Sequence, residues 1–217
     1  MTENPPLITI TRQYAAGGSE VAKHVAAELG WTVIDNEFVD EVARRAGLPP
    51  DEVAQKEERA PGLLARIARN LAAASPEISA GTRAGTTALP EAEAEEATIV
   101  KITERVITEA AMHGRAVLVG RGAQAVLARR PNALHVYLVG PKAWRMEMAV
   151  EHLGVAREDV EKVLDETDRD RDRYVKAHYG RWRQEATLYD MVLNTQRLGF
   201  RGAGDVVVAE ARRRQWK

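Results

Sequence analysis

The sequence predicts an α/β protein built on a parallel sheet with helices on both faces, and three observations support this fold class. Residues 7–30 have the pattern of a strand, a loop of small residues and a helix. Short β-prone runs and helical patterns then alternate along most of the chain. Ala116–Val119 is a continuous apolar run, which is typical of a buried parallel strand. The 217 residues are enough for one domain with a sizeable core.

The first strand, loop and helix have the pattern of an anion site. Leu7, Ile8 and Ile10 form the apolar strand, Thr11–Gly18 form the loop, and apolar residues recur at helical intervals from Ser19 to a C-terminal Gly30. This arrangement directs the loop N–H groups and the positive end of the helix at one point. Nucleotide phosphates are the commonest ligands there. The alternative is a strand-to-helix turn that uses glycine only for tight packing.

The loop matches the phosphate-loop consensus G-x-x-x-x-G-K-[ST] imperfectly. Arg12 stands at the first glycine, Gly17 at the second, Gly18 at the lysine and Ser19 at the metal-binding hydroxyl. The lysine is therefore missing. Arg12 is the candidate to supply its charge from the other end of the loop, and that depends on the direction of its side chain.

Asp35 follows the second predicted strand, Trp31–Ile34, at the end where open α/β sheets bind ligands. It is either a substrate contact or the N-cap of the next helix. The segment after it predicts three helical stretches and then a loop dominated by Ala, Gly, Thr, Pro and Glu. The stretches are residues 37–46, 51–59 and 63–74, and the loop covers 72–97.

A long helix ending near Gly114 leads to the buried strand Ala116–Val119 and then to Gly120-Arg121-Gly122. An arginine between two glycines at the end of a buried strand is suited to bind a phosphate or carboxylate. The alternative is a surface turn.

The last third of the chain adds two more strands and three helices. The fourth and fifth strands are 134–139 and 191–194; the helices are 142–151, which carries Arg145, 158–173 and 204–214. The second of these helices contains the run DRDRDR, residues 168–173. Such a run is usually a solvated face. Arg169 and Arg173 are one turn apart and share a helix face, whereas Arg171 does not lie with them.

Composition limits the function classes. The chain is 45% hydrophobic and 29% charged, its formal charge is −1, and it has no cysteine. These values favour a soluble protein without disulfides or thiolate metal sites, and make nucleic acid an unlikely general partner. The start of the sequence has no signal-peptide pattern, and no apolar run approaches the roughly 20 residues that span a membrane. We expect a cytoplasmic protein without membrane contact, and the sequence leaves a homodimer open.

Several motifs together resemble the cytidylate kinase-like family of P-loop proteins over nearly the whole chain. They are ITITRQYAAGG (8–18), WTVIDNEFV (31–39), ERAPG (58–62), VLVGRGAQAVL (117–127), DRDRDRY (168–174), YGRW (179–182) and LYDMVLNTQRLG (188–199). The resemblance implies a three-layer P-loop kinase fold around a five-stranded parallel sheet. It further implies a helical acceptor-side insert at 36–97, with a mobile stretch near 76–95, and an arginine-rich lid at 157–185.

The resemblance also implies roles for individual residues. The loop would bind the phosphates of ATP, with Ser19 as the Mg²⁺ ligand, and the lid would stabilise the transferred phosphoryl group. Asn194 and Thr195 would lie beside the donor base. The phosphate-binding loop residues are Tyr14, Ala15, Ala16, Gly17, Gly18 and Ser19; the catalytic candidates are Arg12, Arg169, Asp170 and Arg173; the acceptor contacts are Asp35, Arg121 and Arg145.

The sequence departs from cytidylate kinases at two places that matter for catalysis. Ser19 follows the glycine pair, so the loop lacks the usual cation, and Val119 and Gly122 replace both aspartates of the D-G-R-D motif. We expect a phosphotransferase that moves the γ-phosphoryl group of ATP to a nucleoside monophosphate such as CMP or to another small metabolite. The alternative is a nucleotide-binding module without turnover that acts as a sensor or interaction protein.

Overall fold

The computed structural model describes residues 4–35 and 91–216, with the backbone alone for residues 91–99. The chain divides into two compact units, residues 1–33 with 113–217, and residues 34–112. The predicted helices 37–46, 51–59 and 63–74, and the predicted loose stretch up to residue 90, lie outside the described residues.

The described residues contain five strands: β1 (Leu7–Arg12), β2 (Thr32–Ile34), β3 (Ala116–Val119), β4 (Ala133–Val139) and β5 (Met191–Asn194). They form one parallel sheet in the order β2-β3-β1-β4-β5, which confirms the predicted five-stranded sheet. Strand β1 is central, with Ile8 beside Val117 of β3 and Leu134 of β4. This order brings the carboxyl ends of β1 and β3 together.

The described residues contain six α-helices: α1 (Gly18–Leu29), α2 (Glu91–His113), α3 (Ala123–Val126), α4 (Lys142–Leu153), α5 (Val160–Tyr179) and α6 (Thr195–Arg213). They lie on both faces of the sheet, as predicted. One face packs Ile8, Ile10 and their neighbours against buried residues of α1 and α6. On the opposite face, His135 contacts Thr9, and its ring hydrogen-bonds the backbone at Leu127, just after α3.

Several helices are longer than their sequence patterns predict. Helix α5 extends to Tyr179, and α6 starts at Thr195, nine residues before the predicted start at Gly204, with a backbone break at Gly199 (φ 69°, ψ 163°). That glycine interrupts the apolar pattern, which explains why the early part of α6 does not look helical in the sequence. Helix α2 includes residues 91–95, which the sequence assigns to the loose stretch. Its residues Ile102, Val106 and Ala110 are buried. Among the described helices, none has the length and apolar character needed to cross a membrane.

Candidate active site

The loop between β1 and α1 has the conformation of an anion site. Ala15 and Gly17 are both left-handed, with φ of 57° and 77°, and Gly18 begins the helix. Glycine is required at position 17, because a Cβ there would collide with the ring of Phe200. Alternating backbone conformations of this kind form a concave nest of N–H groups. Within the described residues no side chain caps α1, so its first N–H groups are available to an anion.

This loop forms one side of a cavity of about 210 Å³. The other residues that line the cavity are apolar, aromatic and cationic and come from three helices: Met148, His152 and Leu153 of α4, Arg171 of α5 and Phe200 of α6. Phe200 is held by edge contacts with Trp144 and His152. The cavity therefore offers polar loop amides beside an apolar and aromatic surface, a combination suited to a ligand with a phosphate end and a planar end.

Arg12 crosses from the phosphate loop to the end of β3. A Cβ placed on Gly18 would lie 2.9 Å from Cγ of Arg12, and one placed on Gly120 would collide with the Arg12 guanidinium. The stem of Arg12 therefore fills the space in which a side chain at position 18 would begin. Gly18 stands where the consensus has lysine, so the structure puts an arginine where the lysine stem would lie.

Arg121 lies next to the end of this arginine. It follows Gly120, is partly buried, and has a left-handed backbone with φ of 51°. For a residue other than glycine this conformation is uncommon and costs on the order of 1 kcal/mol. The sequence predicts an anion site at Arg121, and the structure places this residue beside Arg12 at neighbouring strand ends.

Helix α5 brings a different set of charged residues to the loop from the set that the sequence predicts. Arg171 lines the cavity, lies 5.7 Å from the Tyr14 ring, and donates to the carbonyl oxygen of Arg12 at 3.4 Å. Burial lowers the pKa of Arg171 because its charge is poorly solvated. An anion in the cavity would stabilise that charge.

The predicted catalytic residues Arg169, Asp170 and Arg173 lie on the exposed side of α5. Arg173 pairs with Asp170 at 3.2 Å, and both side chains are mostly solvent-exposed. The prediction that Arg169 and Arg173 share a face is consistent with this placement, but the shared face is turned away from the loop. The physical reason is that two buried arginines outside α5 form ion pairs with Asp168 and Asp172, so the side of α5 that carries these two aspartates faces the loop.

Arg145, a predicted acceptor contact, is engaged by the protein itself. It is 5% exposed and donates to the carbonyl oxygens of Gly140 and Tyr14, each at 3.0 Å. Its guanidinium also pairs with Asp168 at 2.8 Å. These contacts place Arg145 behind the loop as a structural support.

Asn194 and Thr195, the predicted donor-base residues, organise the start of α6. The Asn194 side chain accepts hydrogen bonds from the backbone N–H groups of Gln196 and Arg197, and the buried Thr195 hydroxyl donates to the carbonyl oxygen of Val139. They anchor the helix from which Phe200 reaches the cavity.

The two remaining predicted site residues are Asp35 and Ser19. Asp35 directly follows β2 and belongs to the second compact unit, so its acceptor contact stays a prediction. Ser19 is exposed in the first turn of α1 and lines the cavity. In the described part of the chain no group of three or more acidic or histidine side chains is placed to hold a metal ion.

Sequence reasoning missed Arg171, Arg183, His152 and Phe200. Arg171 lies within the run DRDRDR, but the run alone does not say which side of the helix is buried. Arg183 is 3% exposed and directly follows the YGRW motif. A buried arginine has no signature in a single sequence. Only Phe200 gives a signal, as one of two phenylalanines in the chain.

Comparisons with known proteins show the family and the fold of the chain. The sequence model of the cytidylate kinase-like family matches residues 7–197. No match was found among curated proteins.

Solved structures with similar folds include an uncharacterized protein from Eubacterium ventriosum, with a TM-score of 0.63 and 18% identity over 94% of this chain and 97% of that one. Shikimate kinase from Acinetobacter baumannii, in complex with shikimate, has a TM-score of 0.51 and 16% identity over 99% and 97%. Shikimate kinase from Bacteroides thetaiotaomicron has a TM-score of 0.51 and 13% identity over 96% and 97%. At these identities the likeness shows the fold, which is that of small-molecule kinases.

Proposed function

The chain belongs to the cytidylate kinase-like family, and from that premise we propose that it is an ATP-dependent phosphotransferase acting on a small anionic acceptor. The acceptor implied by the family is a nucleoside monophosphate such as CMP. Another small metabolite with a phosphate or carboxylate fits the same cationic strand ends.

One observation carries this proposal. The Arg12 stem passes over Gly18, its guanidinium ends at Gly120, and the residue lines the cavity, which supports a role for Arg12 in place of the missing lysine. Phosphoryl transfer depends mainly on positioning and on stabilisation of charge. A loop that lost its lysine without replacement would have lost much of that stabilisation. Here the missing side chain at Gly18 leaves the space that the stem of Arg12 fills.

The residues around the cavity fit a bound nucleotide with its metal ion. The loop amides of residues 15–19 would bind the phosphates, Ser19 would offer its hydroxyl to Mg²⁺, and Arg171 would bind phosphate oxygens from the α5 side. When bound, ATP supplies the phosphoryl group and Mg²⁺ neutralises part of its charge. Phe200 and His152 would contact the base.

The acceptor would bind at the carboxyl ends of β1 and β3. The Arg12 guanidinium reaches Gly120, and Arg121 is the next residue along the chain, so both arginines would be available to an anionic group of the acceptor. Arg12 would then contact both the transferred group and its acceptor. Asp35 is the remaining acceptor candidate.

Calorimetry with ATP, with and without Mg²⁺, tests the donor half of the proposal. We expect Mg²⁺-dependent binding with a micromolar Kd, and an acceptor screen with CMP and other small anions should then reveal turnover. Arg121→Ala should weaken acceptor binding far more than ATP binding. Equal effects on both ligands would contradict the role of Arg121, and no nucleotide binding at all would contradict the proposed function.

A second function, a nucleotide-binding module without turnover, is favoured by Val119 and Gly122 at the positions of the two aspartates of D-G-R-D. The same screen separates the two functions. Tight ATP binding without product, even with many acceptors, would favour the module.

A further inference from the structure

Both backbone polar groups of Tyr14, in the middle of the phosphate loop, are bound by charged side chains from outside the loop. Its N–H donates to Oδ1 of Asp168 at 2.9 Å, and its carbonyl oxygen accepts from Nη1 of Arg145 at 3.0 Å. Hydrogen bonds with one ionised partner are shorter and stronger than neutral ones. The position of this residue is therefore fixed by side chains of α5 and α4.

Asp168 is itself held by two nearly buried arginines. Its Oδ2 lies 2.8 Å from Nη1 of Arg145, and its Oδ1 lies 3.3 Å from Nη2 of Arg183. Only 15% of the Asp168 side chain is exposed. If this carboxylate moved away, two arginine charges would stay buried without their counter-charge, which is energetically costly.

Arg183 extends this support to the start of the loop. It donates to the carbonyl oxygen of Arg12 at 2.7 Å and pairs with Asp172 at 2.6 Å. The residue at each end of the segment Arg12–Tyr14 is thus bound to the same ionic group. We call Asp168, Arg145 and Arg183 the loop brace.

The loop needs such a support because of its own conformation. Ala15, directly after Tyr14, has a φ of 57°, which an alanine adopts only under constraint. Without the brace the backbone at Tyr14 and Ala15 is free to relax to an ordinary conformation, and the N–H groups no longer point at one ligand.

We propose that Asp168 is a positioning residue that keeps the phosphate loop in its anion-binding conformation and links the loop to helix α5. It acts on the ligand through Tyr14 and Ala15 without touching it. The effect on nucleotide binding rests on the function proposed above, whereas the effect on the loop does not.

Amide hydrogen exchange of the full-length protein without nucleotide tests the loop effect. We compare Asp168→Asn, which keeps an oxygen acceptor but loses the charge, with Asp168→Ala, which loses both. Glu166→Gln is the matched control, because it removes one exposed carboxylate from the same helix. The hydrogen-bonded loop amides of Tyr14 and Ala16 should exchange roughly tenfold faster or more in Asp168→Ala and less so in Asp168→Asn. Those of β4 serve as an internal reference for global stability.

The exchange pattern decides the proposal. Faster exchange in the loop, with β4 and the Glu166→Gln control unchanged, supports it. Equal exchange of the loop in the wild type and in Asp168→Asn, or acceleration of the loop only in step with β4, would overturn it. Asp168→Asn keeps the test valid if Asp168→Ala does not fold.

Calorimetry with ATP gives the functional outcome separately. Asp168→Asn should raise the Kd for ATP about tenfold and leave the KM for the acceptor unchanged within a factor of two. If the wild type binds no nucleotide, the proposed function fails, yet the exchange result still decides whether Asp168 holds the loop. Normal ATP affinity in Asp168→Asn with a loosened loop would contradict the positioning role.

Discussion

Helix α5 carries aspartate and arginine on two faces, one of which meets the rest of the protein while the other is exposed to solvent. Asp168, Arg171 and Asp172 face the phosphate loop and the buried Arg183, whereas Asp170 and Arg173 pair with each other in solvent. Arg171 and Arg173 are two residues apart, which turns them to different sides of the helix. The comparison shows that the face of an alternating charged run that meets the phosphate loop is set by its buried partners and not by the charge pattern itself.

The energetic contrast between the faces follows from solvation. An exposed ion pair is screened by water and contributes little, about 0–1 kcal/mol. A buried pair costs desolvation when it forms, and removing one partner strands the other in a place where water cannot reach it. The first two predictions below compare the loss of an arginine on the loop side with the loss of the exposed Arg173.

The largest effect is expected for Arg183→Ala. It leaves Asp172 without its buried cation and Asp168 with Arg145 alone, so the free energy of unfolding should fall by about 3–5 kcal/mol. Arg173→Ala breaks an exposed pair and should change it by less than about 1 kcal/mol. Urea denaturation of both variants measures the difference. Similar losses in the two variants would show that burial does not separate the two faces.

The next effect concerns the ligand. Arg171→Ala removes the one α5 cation that lines the cavity and should lower ATP-dependent turnover on the order of a hundredfold. Arg173→Ala should keep turnover within about threefold of the wild type. Kinetics with the acceptor found in the screen measures both. A larger loss in Arg173→Ala than in Arg171→Ala would favour the catalytic role that the sequence predicts for Arg173.

The smallest effect extends the contrast between buried and exposed charge to the sheet. Burial lowers the pKa of His135, which is 9% exposed and bonded to Thr9 at 2.7 Å. The unfolded chain binds that proton more readily, so stability should fall as pH drops below about 6.5. The slope contributed by His135 is at most about 1.4 kcal/mol per pH unit. Denaturation at pH 7.5 and 5.5 should show the loss in the wild type, and His135→Gln should reduce it. An equal loss in both proteins would exclude His135 as the source.

The sheet could be predicted because its signals are local. Ala116–Val119 is apolar throughout, and Leu7–Ile10 precedes a loop rich in small residues, so each strand is visible in its own residues. The phosphate loop could be placed for the same reason. The extent of α6 could not, because Gly199 breaks its helical pattern.

A site residue could be predicted only where the neighbouring sequence indicates which way its side chain points. Arg121 lies between two glycines at a strand end, and that context indicates its location. The direction of Arg12 depends on the absence of a side chain at Gly18 and Gly120, which are distant from each other in the sequence. The buried face of α5 depends on Arg145 and Arg183, whose burial is a property of the fold.

A double-mutant cycle at positions 12 and 18 tests most directly whether Arg12 replaces the loop lysine. ATP affinity is measured by calorimetry for the wild type, Arg12→Ala, Gly18→Lys and the double variant. We expect Arg12→Ala to weaken binding roughly tenfold or more, because it removes the loop cation.

Gly18→Lys should also weaken ATP binding, because its Cβ would lie 2.9 Å from Cγ of Arg12. In the double variant the lysine stem has room, so it should bind ATP more tightly than either single variant. A double variant that binds ATP no better than Arg12→Ala would contradict the replacement of the lysine by Arg12.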